Sequence, residues 1–267
     1  MTDPVQEEGS GQSVRALDLP GGVHVEWQDH VVRVELRRPQ VRNAQTFSTW
    51  QSLARVADEL SADDRIVLIS GEGQDFSAGL DLRMLRPGGV PDEGDLAELL
   101  ALDDAALDER LAGYQEAFTC WQQTDAIVVC AVRGNAIGAG FQLALAADLI
   151  IAAESATFRV GEPELGLIPD LGGSGQLLAR AGRARALELC LTGRPLGAAE
   201  AAAWGLVSRV VADEELEPTV RALIDRLGAL PAGATRGAKR LVVDEHDDRS
   251  VAERSIQIPL LRALAQR

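Results

Sequence analysis

The stretch "AIVVCAVRGNAIGAGFQLALAADLIIAA", residues 126 to 153, runs from an apolar segment through a glycine turn into small and apolar residues, then into a second apolar segment. A short apolar run ending in glycine reads as a buried strand, and "GAGFQLALAAD" opens a helix before "LIIAA" resumes strand. Buried strands joined through helices are the pattern of an α/β domain.

Working outward, "VHVEWQDHVVRVELRRP" alternates apolar and polar residues, as half-buried antiparallel strands do, with a turn at Asp29 and His30. "FSTWQSLARVADELSAD" sets Phe47, Trp50, Leu53, Ala54, Ala57 and Leu60 at helical spacing, and "RIVLISG" is another buried strand. "ERLAGYQEAFTCWQQT" reads as helix, and "LIIAAESATFRV" as further strand. From Gly173 to Arg267 the reading is almost wholly helical. The polar first 20 residues offer little to bury, so ordered structure is expected from near Val23. The organisation expected is a disordered tail (1–20), an α/β core (21–200) and a C-terminal helical region (201–267). Between Met84 and Leu111 an acidic, turn-rich segment is either a surface excursion or a flap over a cleft.

With 267 residues, 46% of them hydrophobic, the chain can bury a large core. No apolar run approaches the roughly 20 residues that span a bilayer, and the first residues lack the order of a secretory signal, so a cytoplasmic protein is expected. A net charge of −15 disfavours nucleic acid and anionic membranes as partners. Cys120, Cys130 and Cys190 are odd in number and widely separated, so they read as buried thiols, with neither a disulfide framework nor a metal site.

Several chemistries fall away. His24, His30 and His246 lie far from every glycine turn; Ser174 in "GGSGQ" lacks the last glycine of a nucleophile elbow; Ser77 in "FSAG" has no evident base. "GEGQDF" lacks the third glycine of a dinucleotide site, and no P-loop occurs, so neither nicotinamide nor ATP is implied. Two strand-to-turn junctions remain, "ISGEGQDFSAGLDL" and "AVRGNAIGAGFQLALAADL". The backbone N–H groups of Leu80 and of Ala139, the latter at a helix start, are expected to converge on one oxygen as an oxyanion hole.

The segments "RRPQVRNA", "GQDFSAGLDL", "VRGNAIGAGFQLALAADLIIAA" and "FRVGEPELGLIPDLGG", in this order, resemble the enoyl-CoA hydratase/isomerase family, the crotonases. "LTGRPLGAAEAAAWGLVSRVV" is similar to the segment that follows in those enzymes, and the resemblance extends from about Val23 to the C-terminal helices. It implies a ClpP/crotonase-like superhelix of ββα turns and a homotrimer or dimer of trimers, with the C-terminal helices at subunit contacts and over the active site. It also implies an acyl-CoA thioester substrate, with no permanently bound cofactor and no metal. On this resemblance the N–H groups of Leu80 and Ala139 hold the thioester oxygen, and main chain around Ala44, Ala78 and Asp81 lines the CoA arm. Arg38 or Arg42 would meet its phosphates, or else serve only at the surface.

Hydratases of the family use two glutamates on one water; counting from Phe158 puts Glu162 in the second place and Gln142 in the first. An amide can hydrogen-bond water but cannot take and return a proton near neutral pH. Asp170, eight residues after Glu162, matches the isomerase branches, including the dienoyl-CoA isomerases and the isomerase of phenylacetate breakdown. The other reading of Asp170 is a turn residue after Pro169. Leu165, Leu167, Ile168 and Leu171 would surround a carboxyl whose pKa burial raises, while Glu164 falls at the surface. The expected activity is double-bond isomerisation of an enoyl-CoA, carried by Glu162 and Asp170. The alternatives are hydration of a 2-enoyl-CoA and a non-catalytic acyl-CoA-binding protein.

Overall fold

Leu17 and Leu19 point inward along a short segment that ends in "PGG", and pairing with the next segment makes it a strand. In the computed structural model, which describes residues 14–264 apart from Gly94, Arg15–Leu19 (β1) pairs antiparallel with Val23–Gln28 (β2). Gly21 and Gly22 turn the hairpin at φ of 72° and 73°, and Arg15 lies 4.2 Å over the Trp27 ring. Ordered structure therefore begins before Val23, correcting the expected boundary. The rest of the expected tail, residues 1–13, lies outside the described residues.

Val31–Leu36 (β3) returns antiparallel to β2 through the Asp29–His30 turn. Thr46 then caps Phe47–Asp58 (α1) with a capping box shared with Thr49, and Ile66–Gly71 (β4) lies parallel to β3. The acidic segment folds partly as Leu96–Leu100 (α2) and leads into Asp104–Gln123 (α3), which starts five residues before the expected helix at Glu109 because Asp103 caps it.

A ββα unit then repeats. Ile127–Val132 (β5) joins the large sheet, Asn135–Ile137 (β6) starts a small one, and Ala139–Ala146 (α4) follows. Leu149–Ala153 (β7) and Thr157–Arg159 (β8) repeat the split, followed by Gly173–Ala181 (α5) and Arg183–Thr192 (α6). Leu196–Gly197 (β9), Ala198–Ala203 (α7) and Arg209–Val211 (β10) close the series. The large sheet runs β1-β2-β3-β4-β5-β7-β10 and the small one β6-β8-β9. β9 and β10 correct the expectation of an almost wholly helical chain after Gly173; at two and three residues they are too short to carry a periodic signal.

Leu216–Ala229 (α8) lays Leu216, Val220 and Ile224 on the sheet face opposite α1, α3 and α4, against Ile66, Leu68, Val129 and Ile151. Burial on both faces explains the unbroken apolar runs of β4, β5 and β7. Ala232–Val243 (α9) is fastened by the buried Lys239, whose Nζ meets Asp148 at 2.8 Å and donates to the Ala126 carbonyl at 2.8 Å. Arg249–Leu264 (α10) packs on α9 and buries none of its own residues fully. Among the described residues no helix is long and apolar enough to cross a membrane.

Candidate active site

Two glycine turns touch because side chains are missing where they cross. Ser77 bridges to Ala136: its N–H donates to Asn135 O at 2.9 Å, and its carbonyl accepts from Ile137 N at 3.0 Å. Gly79, at φ 81°, lies so close to the second turn that a Cβ would collide with the Ile137 carbonyl and stand 3.3 Å from Ala139 N. A Cβ on Gly140 would stand 2.5 Å from Ser77 O. The Ser77 hydroxyl donates to Asn43 O and accepts from Gly79 N and Gln45 Nε2, so it braces the first turn.

Gln45 pairs with the residues on either side of Leu80, donating to Gly79 O and accepting from Asp81 N, so the Leu80 N–H takes no part in that bridge. Ala139 is the first residue of α4, where an N–H has no partner within the helix and the macrodipole is positive. Leu80 and Ala139 line one cavity of about 370 Å³, shared with Glu162 and Asp170. A larger groove of about 540 Å³ between α8 and the outer sheet face contains neither glycine turn's N–H pair nor those carboxylates.

Glu162 opens a 3-10 turn after Gly161, and its Oε1 is 3.4 Å from where a Cβ on Gly138 would be. Gln142, one turn along α4 from Ala139, has its amide fixed at both ends. Its Oε1 accepts from Leu171 N at 2.9 Å and Gly173 N at 3.1 Å, which forces Nε2 toward Glu162 Oε1, 2.7 Å away. Gly173 is needed there, since a Cβ would lie 2.6 Å from Gln142 Cγ. Glu162 Oε2 is buried with no partner among the described residues. Burial pushes the Glu162 pKa up; the Gln142 N–H opposes this and the nearby Asp170 charge adds to it. Asp170 is exposed at the rim, with its backbone carbonyl held by Gln115 Nε2 at 2.7 Å, and partial desolvation of its carboxyl raises its pKa as well.

A family model described as enoyl-CoA hydratase/isomerase matches residues 26–267. The chain belongs to that family. A Mycobacterium leprae protein named as an enoyl-CoA hydratase is 36% identical over 214 residues, covering 78% of this chain and 76% of the relative. The 1,2-epoxyphenylacetyl-CoA isomerase of Escherichia coli K12 is 39% identical over 206 residues, with 75% and 74% covered. A crystal structure of a Thermobifida fusca protein described as an enoyl-CoA hydratase, in complex with acetoacetyl-CoA, matches with a TM-score of 0.86 at 44% identity, covering 91% of this chain and 96% of that one. The crotonase fold expected from the motifs is the fold found, and the chain is an enzyme of the hydratase/isomerase class.

Of the residues picked out by motif, Gln142, Glu162, Asp170, Leu80, Ala139 and Ala78 come together around the cavity or directly behind it. Arg38, Ala44 and Asp81 form a neighbouring knot. Asp81 Oδ2 meets Arg83 Nη2 at 2.6 Å and Arg38 Nη2 at 3.1 Å, and Arg38 Nη1 donates to Ala44 O at 2.5 Å. Hydrogen bonding to Arg83 above all holds the Asp81 carboxyl down at about 2. Arg38 is thus turned inward as a brace, whereas Arg42 is exposed, at φ 54°, with its carbonyl accepting from Ala78 N.

Two residues escaped the sequence reading. Arg83, half exposed beside Asp81, is the cation on the outer side of the knot, and Trp50, read only as a helix-face residue, lines the cavity. Leu165, Leu167 and Ile168 form the cavity mouth but remain exposed, and only Leu171 is buried. Glu164 points outward to an ion pair with Arg159, as expected of a surface carboxylate. Among the described residues, no group of three or more His, Cys, Asp and Glu side chains is placed to hold a metal ion.

Proposed function

We propose that this enzyme moves a double bond within an enoyl-CoA thioester. The observation that carries the reading is the Gln142 amide, bonded at its oxygen by two backbone N–H groups and at its nitrogen by Glu162. Of the three carboxylates that line the cavity, Glu164 is paired with Arg159, which leaves Glu162 and Asp170 as the acid–base groups. Adding water asks for a second group beside Glu162 that can accept and return a proton, and an amide cannot. The E. coli relative supports isomerase chemistry, a dienoyl-CoA isomerase of Pongo abelii that is 34% identical over 224 residues supports the double-bond shift, and the acetoacetyl-CoA complex of the T. fusca protein supports a CoA thioester as the ligand class.

In the proposed reaction the N–H groups of Leu80 and Ala139 hold the thioester oxygen. Glu162 Oε2 takes the proton from the carbon between the thioester carbonyl and a 3,4-double bond. The released electron pair delocalises through the carbonyl and the double bond as a dienolate, its charge stabilised by the two N–H groups and the α4 dipole. A proton returns at the far carbon, from Glu162 or Asp170, and gives the 2-enoyl thioester with no atom gained or lost. Raised pKa values at both carboxyls suit groups that must take a proton and give it back.

Main chain at Ala44, Ala78 and Asp81 would line the CoA arm, with Arg42 and Arg83 as the accessible cations for its phosphates. The exposed apolar side chains of α10, Val251, Ile258 and Leu261 among them, support the C-terminal helices as subunit contacts in a trimer or dimer of trimers. The free thiols of Cys120, Cys130 and Cys190 are consistent with a cytoplasmic setting.

Glu162→Gln and Asp170→Asn test the mechanism. Each should lower kcat on a 3-enoyl-CoA, Glu162→Gln by about 100-fold or more, while CoA-thioester binding measured by calorimetry stays nearly unchanged. Full activity in Asp170→Asn would leave Asp170 as a turn residue; full activity in Glu162→Gln would remove the mechanism.

A further inference from the structure

Trp50 is the one large aromatic ring on the cavity wall among the described residues, and everything around it fixes its position. It is 6% exposed. Its indole N–H donates to Gln45 Oε1 at 2.8 Å, and the Gln45 amide nitrogen donates to Ser77 Oγ, so one buried chain ties the ring to the turn that presents Leu80. Tyr114 and Phe118 meet it edge-on at 5.0 and 5.8 Å between ring centroids, and Phe47 lies at 5.6 Å. Tyr114 and Phe118 are themselves buried, so the indole is backed by packed aromatic rings. An aromatic packed on its far side and hydrogen-bonded at its edge cannot swing aside without breaking both contacts.

We infer that Trp50 is a specificity-determining residue: it ends the acyl cavity, so that the enzyme accepts short to medium or compact acyl groups and excludes long straight chains. This rests on the acyl-CoA reading of the same site. At about 370 Å³ the cavity lies near the small end of the range for ligand pockets, roughly 300–1,000 Å³, and the thioester head shares it with the chain. Glu162 and Asp170 share that volume, so a chain long enough to press on the indole would displace the carbon that must lie beside them.

The test is a series of straight-chain 3-enoyl-CoA thioesters from butenoyl to dodecenoyl, with kcat/KM measured for the native enzyme, Trp50→Phe and Trp50→Leu. The native profile should break within the series, falling by roughly tenfold or more per added methylene once the tail meets the ring. In Trp50→Leu the ratio of dodecenoyl to hexenoyl kcat/KM should rise at least about tenfold, and Trp50→Phe, which keeps a ring there, should stay near the native ratio. Because each ratio is taken within one protein, partial misfolding cancels. A native profile flat through dodecenoyl, or a break at the same length in Trp50→Leu, overturns the inference. Calorimetric affinities of the native enzyme for saturated acyl-CoA thioesters of the same lengths separate it from the reaction proposed above. A break in affinity without turnover of any enoyl-CoA would uphold the wall and reject the chemistry, whereas turnover without any break would do the reverse.

Discussion

Replacing Gln142 by glutamate changes one atom of the site and reverses one interaction. The oxygen held by Leu171 N and Gly173 N keeps both bonds, and the second oxygen takes the place of Nε2, 2.7 Å from Glu162 Oε1. In the native protein that contact is a hydrogen bond to a carboxylate, a type that contributes about 1.5–3 kcal/mol. In Gln142→Glu it becomes a contact between two carboxyls that cannot both ionise without repulsion, and such pairs separate their titrations by roughly 3 units. At about 1.36 kcal/mol per unit, the variant is destabilised by about 4 kcal/mol once the shared proton is lost.

The sign follows from linkage. A carboxyl whose folded pKa is raised contributes stability that is full below its unfolded pKa and is lost as pH rises through the folded one. Native Glu162 already behaves so, and Gln142→Glu should do so more strongly. Thermal unfolding at a series of pH values should therefore show the variant close to native in acid and progressively less stable toward neutral and alkaline pH. On a 2-enoyl-CoA it should gain water addition, because two carboxyls now flank one place for a water. A stability difference independent of pH, together with no gain of hydration, would refute both the contact and its chemical role.

In Asp170→Asn the charge that helps raise the Glu162 pKa is gone, so the acid limb of the kcat–pH profile should move to lower pH; an unmoved limb would mean the two carboxyls do not interact. Gly173→Ala would press a methyl group against Gln142 Cγ, costing about 1–3 kcal/mol by thermal melt and lowering kcat as Gln142 is pushed off Glu162. Lys239→Met leaves the half-buried Asp148 with only the Val128 N–H, and a loss of up to about 3 kcal/mol in denaturant unfolding is expected; a neutral effect would mean α9 is held by its apolar face alone.

What was legible in the sequence follows the range of the interactions. The buried strands β4, β5 and β7 announce themselves because both faces are covered, and the hairpin of β2 and β3 because one face is. β1, β9 and β10 did not, since their two to five residues are held by partners elsewhere in the chain rather than by their own pattern. Glu162 was found by counting from Phe158, but its environment was not: the buried Oε2, partnerless among the described residues, depends on Gln142 being turned by Leu171 and Gly173, some thirty residues from Gln142. Arg38 looked like a free cation and is instead spent on Ala44 and Asp81, whereas Arg83 and Trp50 carried no motif and owe their places to packing.

The most direct test of the account is the product formed from a 3-enoyl-CoA by the purified enzyme, read together by mass and by the ultraviolet absorbance of the conjugated thioester. The account predicts a product of unchanged mass that has gained the absorbance of a 2-enoyl-CoA, and loss of that conversion in Glu162→Gln. Rapid hydration of a 2-enoyl-CoA, with no shift of the double bond in the 3-enoyl thioester, would contradict it.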